Sequence, residues 1–382
     1  MRVFLQAVFG QILFGGYILW RGRQALPRTK AWRVTYAGCF LLEWMLYFTG
    51  YFFHGSLPES LLETILLVCN TWYIASIYVT MGMLPLEIVG LTQRRWKWYP
   101  QTVGKHWREI KLTLFFLFIA GVTGLMISAY HNVACPVARH LFLHVPKTVE
   151  GRDSLTVVLM CDTHFGETVG KRQAQRYVSL CNAQHPDVIL VGGDLIDYES
   201  IVAEQAHIED DLRQLSAPLG VYLVLGNHEY RANRHAKLRW IQKTGGILLV
   251  DSVAMPDSSF YIVGRDDALN PGRAALHTLM KGLDHSKPVI VLDHQPISIN
   301  ETLMNRADIA LHGHTHNGQL WPNSLLLKFV YECSYGYYRK GDTQFYVSSG
   351  IGCAGPPYRV GTRSELAVLH ITFDKNTCKA NE

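Results

Sequence analysis

The stretch LTVVLMCDTHFG, residues 155–166, runs from an apolar segment directly into polar side chains. A short apolar run rich in β-branched residues is typical of a buried strand, and we predict one over residues 155–161. Asp162 and His164 follow the end of this strand. At the end of a strand, both side chains can turn toward one ion, so this pair is the first candidate for a site.

Short β-rich runs alternate with helical periodicity from residue 155 onward, which predicts an α/β fold. Further strands are predicted over residues 187–191, 220–225, 260–263, 288–292, 309–311, 344–348 and 366–371. Helices are predicted over residues 173–183, 201–215, 234–243 and 274–281. Sites in such sheets gather in the loops beyond the carboxyl ends of strands.

Four more polar clusters follow predicted strands in this part of the chain. They contain Asp194 in GGDLID, Asn227 in GNHE, His294 in DHQP, and His314 and His316 in HGHTHNG. With the first pair, they offer carboxylate oxygens, imidazole nitrogens and one amide oxygen. Such mixed ligands suit Mn²⁺, Fe or Zn²⁺. Two ions about 3.5–4 Å apart can clamp a phosphate group, and we predict two divalent metal ions as cofactors.

The order D-x-H, G-D-x-x-D, G-N-H-E, H, G-H-x-H resembles the calcineurin-like metallophosphoesterase superfamily, over roughly residues 155–371. The resemblance implies a β-sandwich flanked by helices. The run VSSGIGCAGPPYR, residues 347–359, is also similar to the end of a bacterial membrane-anchored branch. Protein phosphatases of this superfamily continue G-D-x-x-D with Arg-Gly, whereas here Asp197 is followed by Tyr198, which argues against a protein phosphatase.

The resemblance also implies a role for each polar residue. Three residues would bind the first metal: Asp162, His164 and His316. Three would bind the second: Asn227, His294 and His314. Asp194 would bridge both ions, and a hydroxide shared by them would attack the phosphorus. His228 would assist the leaving group, and Asp197 would hold the tautomer of His228.

Several neighbouring residues carry weaker expectations. We expect His312 to be structural and Asp293 to support the site without binding a metal. Glu229 is expected either to orient the Asn227–His228 turn or to cap it. Arg359 is a further candidate for a cation facing the phosphate, although Pro356, Pro357 and Tyr358 loosen the match there.

The first 130 residues have the composition of a membrane region. Four apolar runs predict transmembrane helices at about residues 3–20, 34–53, 61–84 and 112–130, each near the roughly 20 residues that a span requires. Residues 1–130 contain 12 Lys and Arg against 5 Asp and Glu, and the remainder contains 24 against 26. The positive charge therefore belongs to the membrane region, and no nucleic-acid partner is expected.

Loop charges predict the orientation. Loops 21–33 and 91–111 are rich in Lys and Arg, whereas loop 54–60 has neither. The positive-inside rule places the two basic loops in the cytoplasm, so everything after residue 130 would be extracellular or lumenal. We predict a multi-pass membrane region over residues 1–130, a connector over residues 131–154 and a phosphoesterase domain over residues 155–382.

The leading hypothesis is a membrane-anchored hydrolase of phosphate monoesters or diesters, with a lipid-linked phosphate among the candidate substrates. The main alternative is a non-catalytic membrane receptor or scaffold on the same fold, which the loss of a ligand or of His228 would favour. Asn300 begins an N-glycosylation sequon, Asn-Glu-Thr, which is permissive for a lumenal domain. Six cysteines after residue 130 suit either disulfides or buried thiols.

Overall fold

The computed structural model describes residues 2–25, 29–53, 56–98, 100, 103 and 105–375. They form two compact units, Met1–Ala129 and Tyr130–Glu382. Among the described residues, the first unit is helical and the second contains all of the strands.

Long helices make up the first unit: α1 Arg2–Ala25, α2 Lys30–Phe52, α3 Glu59–Trp96, and α4 Trp107–Ala134, which continues into the second unit. Two segments in the described part of the chain are long and apolar enough to cross a membrane, Leu61–Trp96 and Phe116–Ala134. Two of the four predicted spans thus correspond to candidate spans in the described residues, and the number of four stays a prediction.

Polar side chains of the first unit are paired between helices. The Gln11 side chain donates to Oε1 of Glu43 at 2.9 Å, and both residues are buried. Tyr17 donates its hydroxyl to Glu87 at 2.7 Å, and Arg21 forms an ion pair with the same carboxylate. Pairing of this kind lowers the cost of a carboxylate in an apolar helix bundle.

The second unit contains two six-stranded sheets. Their orders are β1-β12-β2-β3-β4-β5 and β10-β11-β9-β8-β7-β6. The strands are β1 Val137–Thr148, β2 Ser154–Met160, β3 Val188–Val191, β4 Val221–Leu223, β5 Ile247–Leu248, β6 Ser252–Ala254, β7 Tyr261–Gly264, β8 Val289–Leu292, β9 Ile309–His312, β10 Gly336–Lys340, β11 Thr343–Val347 and β12 Glu365–Asp374.

Side-chain alternation along the central strands explains the layers. In β2, Val157 and Leu159 enter one apolar cluster with residues of the second sheet, whereas Val158 and Met160 enter another. Successive side chains of a strand point to opposite faces, so an all-apolar strand is buried on both sides. The predicted α/β class is confirmed, with mixed sheets and helices.

Helices accompany both sheets. They are α5 Lys171–Asn182, α6 Ile201–Gln205, α7 Ile208–Leu212, α8 Arg234–Gln242, α9 Leu276–Met280, α10 Ile299–Met304 and α11 Asn323–Leu327. The helix predicted over residues 201–215 is two short helices, because His207 between them adopts a left-handed backbone with φ of 51°. A left-handed residue cannot continue a right-handed helix.

Strand direction brings the polar loops together. Strands β2, β3 and β4 are parallel to one another, and so are β8 and β9. The loops after these strands therefore leave each sheet at its carboxyl edge, where the predicted ligands stand. The segment predicted as a connector contains β1, which pairs with β12 in parallel over Val137–Thr148.

Candidate metal centre

Five of the seven predicted ligands have a left-handed backbone. The φ angles are 56° for Asp162, 48° for His164, 52° for Asp194, 71° for His314 and 51° for His316. This conformation costs a residue with a Cβ roughly 1–2 kcal/mol. Strain of this kind clusters at functional sites, where the surrounding structure holds it in place. The loops therefore orient these side chains toward one another through unfavourable backbone conformations.

Glu229 holds two of these loops in place. Its buried carboxylate accepts hydrogen bonds from the backbone amides of Asp194 at 2.9 Å, Leu195 at 2.9 Å, Ile196 at 3.2 Å and Gly226 at 2.7 Å. Burial raises the pKa of Glu229, and the negative charge of Asp194 adds to this effect. Glu229 therefore orients the turn that contains Asn227 and His228, as expected, and it also holds the loop after β3.

The first group of ligands contains Asp162, His164 and His316, whose ligand atoms all lie within 4.8 Å of one another. The Nε2 atoms of His164 and His316 are 3.0 Å apart, and Nε2 of His316 is 3.6 Å from Oδ1 of Asp162. Oδ2 of Asp194 approaches Nε2 of His164 at 3.7 Å. All four side chains are buried.

The second group contains Asn227, His294 and His314. Oδ1 of Asn227 is 2.7 Å from Nδ1 of His314 and 3.2 Å from Nε2 of His294. The Gly192 carbonyl lies 2.8 Å from Nδ1 of His294 and can only accept, so Nδ1 carries a proton and Nε2 is the ring atom that faces the other ligands. Oδ2 of Asp194 is 3.2 Å from that Nε2, which places one carboxylate oxygen between the two groups.

Charge in this cluster favours a cation. Burial lowers the pKa of His314 to about 3, helped by the positive charge of His294. Burial also holds the pKa of His316 well below its usual value, with His164 and Arg359 adding to the effect. Burial alone would raise the pKa of Asp194, but the two nearby histidines His294 and His164 hold it well below its usual value. Burial would lower the pKa of His294, but Asp194 holds it well above its usual value, so a metal ion at Nε2 of His294 would displace a proton. The mixed oxygen and nitrogen donors fit divalent metal ions.

His228 lies beside these ligands with a fixed ring orientation. The backbone oxygen of Asp197 is 2.5 Å from Nδ1 of His228, and the Asp197 carboxylate lies 3.2 Å from the same nitrogen and 3.1 Å from Nδ1 of His164. The carbonyl oxygen only accepts, so Nδ1 carries a proton and Nε2 is the ring atom left for other partners. Burial would raise the pKa of Asp197, but hydrogen bonds from both histidines hold it well below its usual value.

Arg231 is a residue that the sequence motifs did not identify. Its Nη1 lies 2.7 Å from Nε2 of His228, and its side chain is exposed. In the sequence, the one feature that indicates this contact is the position of Arg231, three residues after His228. A guanidinium at this point can contact an anion that reaches His228.

Arg359 does not face the site in the way that the sequence suggested. It is buried, and its guanidinium donates to the backbone oxygens of Ser349 at 2.5 Å, Gly352 at 2.9 Å and His316 at 3.1 Å. Its hydrogen-bonding capacity is used to hold the His316 loop and the C-terminal loop together. The candidate role as a phosphate-facing cation is wrong, because the side chain is surrounded by carbonyl oxygens.

Asp293 and His312 support the neighbouring loops. Nδ1 of His312 lies 2.7 Å from the backbone oxygen of Asp293. The Asp293 carboxylate forms ion pairs with Arg273 and, at 3.5 Å, with Arg265. Both residues therefore have the structural contacts expected of them.

The seven cysteines within the described residues are all free thiols.

Comparison with known proteins gives this geometry a family context. Residues 155–318 match the family model described as calcineurin-like phosphoesterase. A zebrafish (Danio rerio) protein named transmembrane protein with metallophosphoesterase domain is 28% identical over 95% of this chain and 87% of its own length. The bovine (Bos taurus) protein of the same name is 31% identical over 68% of this chain and 61% of its own length. The predicted resemblance is confirmed.

Solved structures show a weaker likeness. The crystal structure of a dimetal phosphatase from Danio rerio is 15% identical, with a TM-score of 0.38 over 58% of this chain and 100% of that chain. A likeness of this size carries no argument about function.

Proposed function

We propose that this chain, whose residues 155–318 match the calcineurin-like phosphoesterase family, is a membrane-anchored hydrolase of phosphate esters that uses two divalent metal ions. The observation that carries the proposal is the position of Asp194. Its Oδ2 lies 3.7 Å from Nε2 of His164 in one group of ligands and 3.2 Å from Nε2 of His294 in the other. A carboxylate oxygen in that position can be shared by two ions.

Each ion would have its own set of ligands beside the shared Asp194. Asp162, His164 and His316 would hold the first, and Asn227, His294 and His314 the second. Mn²⁺, Fe and Zn²⁺ all accept this mixture of oxygen and nitrogen. When bound, the ions would neutralise the phosphate and lower the pKa of a water molecule that supplies the attacking oxygen.

The chain's own residues would complete the reaction. Asp197 fixes Nδ1 of His228 as a donor, so Nε2 is the atom that would face the substrate. To assist the leaving group, the ring would carry a second proton on Nε2 and pass it to the departing alcohol oxygen. Arg231 would move from Nε2 of His228 to the phosphate oxygens when substrate enters. Its positive charge would then stabilise the negative charge that grows on the phosphate during the reaction.

The complete set of ligands favours an enzyme over a non-catalytic scaffold. All seven candidate ligands and His228 lie together, and a scaffold would be under no constraint to keep five of them in a costly backbone conformation. Elemental analysis of the purified full chain tests the metal site on which this enzyme would depend. We expect about two divalent ions per chain and fewer after Asp194→Asn, since a two-metal site needs the shared ligand. A metal-free wild-type chain that remains folded would contradict the proposal.

We propose a multi-pass membrane region with the catalytic unit on the extracellular or lumenal side. The last turn of α3 carries Arg94 and Arg95, which agrees with a cytoplasmic end of that helix. Protease added to sealed vesicles with the cytosolic face outward should leave residues 130–382 intact. Cleavage there would contradict this orientation, and a glycan on exposed Asn300 would support it.

A further inference from the structure

Residues 321–330, WPNSLLLKFV, form an exposed apolar segment in the second unit. None of the five residues of its helix, Asn323–Leu327, is buried against the described part of the chain. Phe329 is 88% exposed and Val330 is 71% exposed, and Trp321, Leu325 and Leu326 are also exposed. Soluble proteins rarely expose apolar residues in such a cluster, and a cluster of this kind marks a binding surface.

The apolar segment lies between two residues that are close to loops of the metal centre. It begins three residues after the turn His316–Gly318, where the Trp321 amide donates to the Val360 backbone oxygen at 2.8 Å. At its other end, the Tyr331 ring lies 6.2 Å from the ring of His314, centroid to centroid. A long molecule with its phosphate at the metal centre could therefore reach this segment.

The composition of the apolar segment favours lipid as its occupant. Lys328 stands among the apolar residues and is exposed. Lysine is depleted from the cores of protein interfaces. Beside a bilayer, however, its stem can lie against apolar surface while the ammonium group reaches an anionic headgroup. Tryptophan, at the start of the segment, is enriched at membrane–water interfaces.

The helices of the first unit include segments that would place this chain at a bilayer. Leu61–Trp96 and Phe116–Ala134 are long and apolar enough to cross one. An enzyme held at a membrane encounters amphiphilic phosphoesters at high local concentration. Exposed apolar side chains beside a basic residue are also a common means of binding the bilayer surface.

We propose that the substrate is a lipid phosphoester and that its apolar part lies along residues 321–330 at the bilayer surface. This inference rests on the proposed function. In the reaction, the oxygen of water forms a bond to phosphorus and the bond from phosphorus to one alcohol oxygen breaks. That alcohol leaves with one proton of the water, the phosphate keeps the hydroxyl, and no other reactant is needed.

Two matched substrates test the inference with the full chain in phosphatidylcholine vesicles. Ethyl 4-nitrophenyl phosphate and hexadecyl 4-nitrophenyl phosphate release the same nitrophenol and differ only in their alkyl chain. We expect kcat/KM to be at least about tenfold higher for the hexadecyl compound, the effect of burying roughly two methylene groups. The double substitution Phe329→Ser, Val330→Ser should remove most of this preference and leave hydrolysis of the ethyl compound within about twofold, because it alters only exposed side chains.

Met304→Ser is the matched control, because Met304 is 79% exposed and lies outside the apolar segment. It should keep the preference for the hexadecyl compound. An unchanged preference in the double variant would overturn the inference. The inference would also be overturned if the wild type were a dimer and the double variant a monomer that keeps the preference for the hexadecyl compound. The occupant of the apolar segment would then be a second copy of the chain. Failure of the wild type to hydrolyse either compound would count against the proposed function itself.

Discussion

The Nε2 atoms of His164 and His316 lie 3.0 Å apart, although the residues are separated by 152 positions in the chain. Nδ1 of His164 is next to the Asp197 carboxylate at 3.1 Å, so its proton belongs there and Nε2 has a lone pair. The Arg359 guanidinium lies 3.1 Å from Nδ1 of His316 and can only donate, so Nε2 of His316 carries the proton and donates it to Nε2 of His164. A metal ion bound by both nitrogens would replace this hydrogen bond. This contact is the geometric core of the proposed metal centre.

The role proposed for His228 makes a prediction about leaving groups. His228→Ala should slow hydrolysis of an alkyl phosphate ester by about 10²–10⁴-fold, because an alkoxide leaves poorly without a proton. Hydrolysis of a nitrophenyl ester should slow by less than about tenfold, because nitrophenolate needs little protonation to leave. Rates for a series of esters that differ in leaving-group pKa provide the measurement. Equal losses across the series would contradict proton donation by His228.

Arg231 is expected to bind substrate without holding metal. Arg231→Ala should lower kcat/KM about a hundredfold, as does removal of other groups that stabilise developing charge, and should leave the metal content unchanged. Arg231→Lys should restore part of the activity, because it keeps the charge but loses the planar fork. Arg239, which is exposed on the helix Arg234–Gln242, provides the control substitution Arg239→Ala. A loss no larger than that of Arg239→Ala would remove Arg231 from the proposed site.

Glu229 is predicted to stabilise the site through its four amide partners. Glu229→Gln keeps the shape but places an amide group against backbone donors, and should lower the free energy of unfolding by about 2–3 kcal/mol. It should also weaken metal binding, since the Asp194 loop loses its anchor. Thermal unfolding with and without added Mn²⁺ measures both effects. Glu204→Gln, in the short helix Ile201–Gln205, is the control, and an equal effect of the two substitutions would show that Glu229 has no special role.

The site could be largely predicted from sequence because its ligands follow strand ends. Asp162 comes two residues after β2, and His314 comes two residues after β9. Strands that are mainly apolar have a strong local signal, and their loops carry short polar motifs. The chemistry of the residue types then predicts a metal site without knowledge of the turns.

Contacts between distant parts of the chain could not be predicted in this way. Val137 in β1 pairs with Glu365 in β12, and no local pattern indicates which strands will be neighbours. Arg359 was a candidate cation because of its charge, but only the fold shows that backbone oxygens surround it. Arg231 likewise stands two residues after the GNHE motif and outside it, and its contact with His228 depends on how that turn bends.

Metal-dependent hydrolysis by the full chain is the most direct test of the central claim. The purified chain would be stripped with a chelator, resupplied with Mn²⁺ and assayed on bis-p-nitrophenyl phosphate and p-nitrophenyl phosphate. Asp194→Asn would be compared with Asp210→Asn, since Asp210 is exposed and pairs with Arg213 at the surface. We predict that Mn²⁺ restores hydrolysis to the wild type and to Asp210→Asn, while Asp194→Asn stays at least about a hundredfold lower. Hydrolysis that persists without metal, equal activity of the two variants, or no turnover by the folded, metal-loaded wild type would contradict the account.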